Sequence, residues 1–173
     1  MKKLLLLLLT LTLIFSFAAC GSKPTDTEPS DETEQNENLE GSLEDILAKI
    51  YETAELSADF KEYVKTGLQT TEITAERCEY YLGKEGIEFD SAIASEPIMM
   101  PSAYELDLVR VKEGADVEQI KNEIKENVDP MKWVCVGIDA ENVIVDNIGD
   151  VIIVIMSDNE GTALHDAFLA LKG

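Results

Sequence analysis

Apolar residues fall along this chain in three regimes. Over residues 4–17 they form a run interrupted only by Thr10, Thr12 and Ser16. Over residues 21–41 the one large apolar residue is Leu39. From residue 42 onward they recur with the periods of helices and strands, so that is where a core can form.

The periodic part opens with a helix. Leu43, Ile46, Leu47, Ile50 and Ala54 share one face at 3.6-residue spacing, and Ser42 is placed as an N-cap with Asp45 in the first turn. Residues 59–69 are ambiguous: Phe60, Tyr63 and Val64 keep helical spacing, and Gly67 would end it. Residues 70–73 read as extended. Thr74 then caps a short helix over 75–82, with Cys78, Tyr81 and Leu82 inward and Gly83 as the stop.

Residues 87–100 read as extended, and Pro97 and Pro101 confine them to a sheet edge or a break. Residues 104–112 are a clearer strand. Tyr104, Leu106 and Leu108 point one way and Val109 and Val111 the other, so the apolar phase shifts, which implies a bulge or burial on both faces. Asp116 caps a helix to about Val128 with the stripe Val117, Ile120, Ile124 and Val128, and Pro130 stops it. Residues 131–136 fit a strand or another helical turn. Residues 143–145 are a strand, 146–150 have turn chemistry, and 151–156 are six unbroken apolar residues covered on both faces. A last helix carries Ala163, Leu164, Ala167, Phe168 and Leu171 inward, with His165 at the edge of that stripe. The pattern predicts an α+β domain over residues 42–173. Its sheet is mostly antiparallel, of about four strands, with helices on both faces and the Ser42 helix covering the second one. The C-terminal half reads hairpin, helix, hairpin, helix.

The first regime has a different meaning. Lys2 and Lys3, the apolar run and the small residues Ala18 and Ala19 have the layout of a secretory signal peptide over residues 1–19. The run is shorter than the ~20 residues a spanning helix needs. Phe17-Ala18-Ala19-Cys20 resembles a bacterial lipobox, with Phe17 where an aliphatic residue is usual. That resemblance implies a diacylglyceryl group on Cys20 and cleavage just before it. Two acyl chains make a stable membrane anchor. The alternative is ordinary cleavage after Ala18 and release. Residues 20–41 would be an acidic, disordered tether, its ends about 25 Å apart as a flexible coil.

Charge narrows the partners. The chain carries 35 acids and 14 Lys or Arg, a net charge of −21. Removing residues 1–19 takes away two lysines and no acids, leaving −23. Nucleic acid and anionic headgroups would be repelled. Cys78 and Cys135 sit among apolar neighbours and read as small core side chains, although a disulfide between them is open outside the cell. No CxxC, P-loop, GxGxxG or GxSxG occurs, and one histidine cannot supply a two-histidine metal site. Neither a catalytic set, a metal nor a cofactor is implied. The candidate ligand residues are Glu96, Arg110, Trp133, Asn147 and Asp150. Each also has an ordinary turn, core or paired-charge explanation, so they are expected to scatter rather than converge.

Several segments together are similar to a known family. These are 94–99, 108–112 with Gly114-Ala115-Asp116, 126–130 with Lys132-Trp133, and 142–150. They resemble an uncharacterised domain of unknown function common in predicted lipoproteins of Gram-positive anaerobes. The resemblance implies a lipid-anchored location facing the wall side of the membrane. It implies no activity and no site residues.

Three functions stay open on this reading. The first is an anchored binding or interaction module, for an envelope protein or a small molecule. The second is an envelope hydrolase or transferase. The third is a solute-receptor component, against which the single small domain counts.

Overall fold

The computed structural model describes residues 38–172. The leader, Cys20 and residues 21–37 of the tether lie outside the described residues.

The elements run α1 Leu43–Thr53, α2 Ala58–Thr66, β1 Leu68–Glu72, α3 Cys78–Leu82, β2 Phe89–Pro97, β3 Glu105–Val111, α4 Val117–Asn127, β4 Val143–Ile148, β5 Val151–Met156 and α5 Gly161–Leu169. The five strands form one antiparallel sheet in the order β1-β2-β3-β5-β4. The architecture is α+β, with one strand more than the sequence pattern predicts. The sequence reading has β1 only in part, as extended residues 70–73; it is five residues of low hydropathy whose first residue, Leu68, faces the core while Gln69 and Thr70 are exposed.

Each helix forms for a local reason. Ser42 Oγ accepts the Asp45 N–H at 3.1 Å, and Asp116 accepts that of Gln119 at 2.9 Å. Ser57 caps α2 through Phe60 N–H, which resolves the ambiguous 59–69 stretch as helix ending at Gly67. Before α3 the backbone tightens into a 3₁₀ turn, Ala75–Arg77, and Thr74 makes no side-chain cap. Gly83 ends α3 with φ +76.

Two cores lie on the two faces of the sheet. On one, α1 and α5 bury Leu43, Ile46, Leu47, Ile50, Leu164 and Phe168 against Ile93, Leu106, Leu108, Ile153 and Ile155. On the other, Cys78, Tyr81 and Leu82 of α3 and Ile124 of α4 pack with Trp133 and Ile138 against Ala92, Ala94, Val109, Ile152 and Val154. All six residues of β5 are buried. Burying each of its Ile or Val side chains contributes about 1.5–3 kcal/mol.

Several expectations are corrected. The strand β2 is not an edge: it is paired on one side with β1 and on the other with β3, and Pro97 is tolerated because it is the last residue. Residues 131–136 are neither strand nor helical turn but an irregular span across the second core. The β4 strand runs on to Ile148, because Asp146 and Asn147 have partners within the domain, and the turn shrinks to Gly149-Asp150 between paired Ile148 and Val151. Cys78 is buried, but Cys135 is exposed with φ +65, and both thiols are free. Of the two readings of β3, burial on both faces holds and the bulge does not: six of its seven residues are buried. Glu105 and Asp107 occupy the inward positions that run on to Val109 and Val111, so the alternation is regular and two of its members are acids. Its register irregularity lies in β2 instead, between Phe89 and Ser91.

Residues 38–41, placed in the tether by the sequence reading, are bonded to the domain. Arg110 donates to Leu39 O at 2.7 Å and Gly41 O at 2.8 Å, and Asp150 N–H donates to Asn38 Oδ1 at 3.0 Å.

The α3–α4 junction leaves no room for a side chain at Gly83: a Cβ there would lie 2.2 Å from the Asn127 carbonyl carbon. Gly83→Ala is expected to lose at least about 2 kcal/mol in urea denaturation, from left-handed strain and overpacking together. Gly86→Ala, at φ +78 with open space, is expected to lose only about 1 kcal/mol from strain. Equal losses would show that the junction is not close-packed.

Candidate functional site

The five sequence candidates do not converge. Arg110 and Asp150 form an ion pair at 3.4 Å at the hairpin end of the sheet. In that half Asn147 accepts from Lys121 Nζ at 2.8 Å and donates to Gly149 O. Glu96 and Trp133 lie instead in the other half, around Lys132. All five are engaged in holding the fold.

That second neighbourhood contains groups the sequence reading passed over. Glu105 and Asp107 are 1% and 0% exposed, on the α3-facing side of β3. Lys132 Nζ reaches Glu105 Oε1 at 2.5 Å and donates to Tyr80 O at 3.0 Å. The rings of Tyr80, Tyr81 and Trp133 surround the ammonium, their centroids 4.5, 5.2 and 5.5 Å away. Glu96 closes the group, accepting from Thr71 Oγ1 at 2.6 Å and Tyr81 O–H at 3.1 Å.

One cation stands among three acids here, which fixes the protonation. Glu105 Oε2 and both Asp107 oxygens have no N–H or O–H donor among the described residues. A proton on Asp107 relieves two of these three oxygens, since its carboxyl O–H can then donate to Glu105. Burial pushes the Asp107 carboxyl well above the usual range, and the neighbouring Glu105 pushes it further. Burial also raises Glu105, opposed by Lys132. Asp107 is therefore the neutral acid and Glu105 the carboxylate paired with Lys132. Removing one partner of a pair this buried costs about 3–5 kcal/mol. Desolvation raises the Tyr81 hydroxyl as well, with Glu96 adding to it.

The same irregular span that carries Lys132 supplies one wall of a cleft of about 570 Å³. Gly137 and Ile138 form that wall. The others are Phe60 and Tyr63 of α2, residues 102–104 before β3, and residues 157–160 between β5 and α5. Glu160 is nearly buried and accepts Ser57 Oγ at 2.5 Å, tying the start of α2 to the start of α5. Tyr63 and Ser102 hydroxyls meet at 3.0 Å, bridging α2 to the β2–β3 loop. Tyr104 stands edge-on to Phe60 with ring centroids 5.1 Å apart. Tyr51 O–H donates to Ser95 Oγ at 2.7 Å, so in the 2.8 Å Tyr51–Tyr104 contact the Tyr104 O–H is the donor. Burial pushes the Tyr51 hydroxyl up to about 12 and raises Tyr104 too, so both are neutral donors. Asp59, Asp158 and Glu160 give the cleft its charge, and no Lys or Arg lines it.

His165 lies elsewhere, with Nε2 2.8 Å from Asp146 Oδ2. Burial works against the Asp146 charge, but hydrogen bonds from His165 and Asn147 N–H outweigh it and hold the carboxyl below its usual range. Among the described residues no serine hydroxyl is hydrogen-bonded to His165, so no Ser–His–Asp relay is assembled. Among those residues, too, no group of three His, Cys, Asp or Glu is placed to hold a metal ion, and no helix is long and apolar enough to cross a membrane.

The signal for the buried acids was present in the sequence. Glu105, Asp107, Val109 and Val111 are spaced by two, the period of one strand face. Following only the apolar residues of this strand left Glu105 and Asp107 without a face. The cleft had no such signal, because its walls come from four separated segments.

Asp107 gives the domain a pH dependence. In the unfolded chain it ionises near pH 4. In the folded chain it keeps its proton to higher pH, so the folded state binds more protons in between. Its contribution is full below about pH 4 and is lost as pH rises through the folded value. Asp107→Asn keeps a neutral donor in place. The variant's melting temperature is expected to gain on the wild type progressively from pH 5 to pH 8. A constant or shrinking gap would mean Asp107 is ionised in the fold.

No family model, no curated protein and no solved structure matches this chain.

Proposed function

We propose that this chain is an extracytoplasmic lipoprotein, held at the outer face of the membrane by acyl chains on Cys20, and that its domain binds a cation-bearing ligand. One observation carries the binding reading. A cleft of about 570 Å³ combines the rings of Phe60, Tyr63 and Tyr104 with the carboxylates of Asp59, Asp158 and Glu160. Aromatic faces attract a cation through their quadrupole, and carboxylates attract it by charge. The serine hydroxyls and Tyr63 O–H add polar contacts that orient a ligand.

The hydrolase alternative has little to work with. Asp146 and His165 form a pair without a nucleophile, and the buried Glu105 and Asp107 are shut from water. The receptor alternative needs two lobes closing on a solute, and the described residues build one sheet with its covering helices. The anchor rests on the residues around Cys20 and on the resemblance to predicted lipoproteins.

Two measurements test the proposal. Tetramethylammonium, titrated into the purified chain at constant ionic strength, is expected to shift the amide signals of residues 57–63, 102–104 and 157–160, and Tyr63→Ala is expected to abolish the shift. Shifts spread over the whole acidic surface would remove the cleft as the site. Mass spectrometry of the N-terminal peptide is expected to find Cys20 first, with diacylglyceryl on its sulfur. An intact leader or a free thiol would remove the anchor.

A further inference from the structure

Two of the segments that wall the acidic cleft are preceded in the chain by exposed apolar side chains. Ile98, Met99 and Met100 are 53%, 76% and 52% exposed, in the loop that leads directly into Ser102 and Ala103 of the cleft wall. Met99 is three residues from Ser102, so at most about 11 Å of chain separates them. Met131 is 64% exposed, and its sulfur lies 2.3 Å from where a Cβ on Gly137 would stand. Gly137 itself lines the cleft, so the Met131 side chain packs against a residue of that wall. Val134, 72% exposed, belongs to the same irregular span. Single exposed apolar residues are ordinary, but these come from two loops that each run into a wall of the same cleft, at Ser102 and at Gly137. Three are methionines, whose flexible, polarizable side chains suit a surface that adapts to a partner.

Resting on the reading of the cleft as a cation site, we propose that its natural occupant is a basic amphipathic polypeptide segment. A Lys or Arg side chain enters between Phe60, Tyr63 and the carboxylates. Neighbouring apolar side chains of the same segment cover Met99, Met100 and Met131. Two observations select this partner over the alternatives. The cleft is lined by three acids and no base, so its complement is cationic. The rim is apolar, so a bare cation leaves it in water. A second copy of the chain is disfavoured by a net charge of −21 on each molecule, and an anionic lipid surface by the same repulsion.

The Lys132–Glu105 pair has a place in this arrangement. It fastens the irregular span to the sheet between Met131 and Trp133, five residues before Gly137. The rim and the cleft wall are thereby held as one piece, which lowers the ordering cost of binding.

The test uses the full-length mature chain in detergent micelles and three fluorescein-labelled peptides, read by anisotropy at 150 mM salt. One alternates Lys with Leu, one alternates Lys with Ser at equal charge, and one alternates Glu with Leu. The Lys/Leu peptide is expected to bind about tenfold more tightly than Lys/Ser, the effect of covering roughly two methylene groups. Glu/Leu is expected not to bind. Met99→Ser with Met131→Ser should erase the Leu advantage while leaving Lys/Ser affinity unchanged. Asp59→Asn with Asp158→Asn should weaken both Lys peptides several-fold more than Asp90→Asn with Glu113→Gln, an equal charge change at the far end of the sheet. Thermal melts of each variant confirm the fold, and Asp59→Asn alone serves if the Asp158 loop is disturbed. If Lys/Leu and Lys/Ser bind equally and tetramethylammonium still occupies the cleft, the polypeptide partner is wrong and the cation site stands. If neither peptide nor tetramethylammonium binds, both fall. If distal and cleft variants weaken binding equally, the attraction is diffuse charge and the docking surface is wrong.

Discussion

A single ammonium group in a ring of aromatic and acidic side chains governs one side of this fold. The strand β3 carries Glu105 and Asp107 into a face that is otherwise core. Two carboxylates cannot be buried there side by side as charges. The structure meets the problem by keeping a proton on Asp107 and by bringing Lys132 to Glu105 from a segment 27 residues further along the chain. That requirement explains the irregular span between α4 and β4. It cannot become a regular strand or helix and also deliver Lys132, Trp133 and Ile138 onto the same face.

The opposite face follows the simpler rule of apolar stripes on an apolar sheet. There α1 and α5 cover Leu106, Leu108, Ile153 and Ile155 with long aliphatic side chains. Polar atoms enter this core only where they are bonded, as in the Tyr104–Tyr51–Ser95 chain of hydroxyls. The cleft opens where the two regimes meet, at the sheet end where β5 finishes and β3 begins. Of its lining residues, Phe60 and Tyr104 belong to the first face and Ile138 to the second. A latch on one face and a helix pinned by Glu160 on the other thus hold a surface that neither core forms alone.

Strong negative charge gives this geometry a direction. In a chain so acidic, most carboxylates do no more than keep the surface hydrated. Asp59, Asp158 and Glu160 differ because they line one cleft together with the rings of Phe60, Tyr63 and Tyr104. The proposed cation ligand would meet ring quadrupoles and carboxylates together there, a combination of two attractions.

The order of elements was legible in the sequence because helices α1, α4 and α5 and strand β5 carry long periodic or unbroken apolar patterns and clear caps. The proposed leader and lipidated Cys20 rest on the sequence pattern alone, since they lie outside the described residues. The strand β1 was only half legible, because an edge strand with polar side chains is defined by its hydrogen bonds to β2. Whether Cys135 is core or surface was not legible, because that depends on how an irregular span crosses the sheet. The spacing of Glu105, Asp107, Val109 and Val111 puts Asp107 on one strand face with the two valines, but whether that face buries it was decided by tertiary structure. A carboxyl enters a core only if a distant cation and a retained proton make it tolerable, and neither is a property of the residues next to it. The cleft is decided at the same level, since Phe60, Tyr104, Gly137 and Glu160 are remote in sequence and become neighbours only when the sheet is complete.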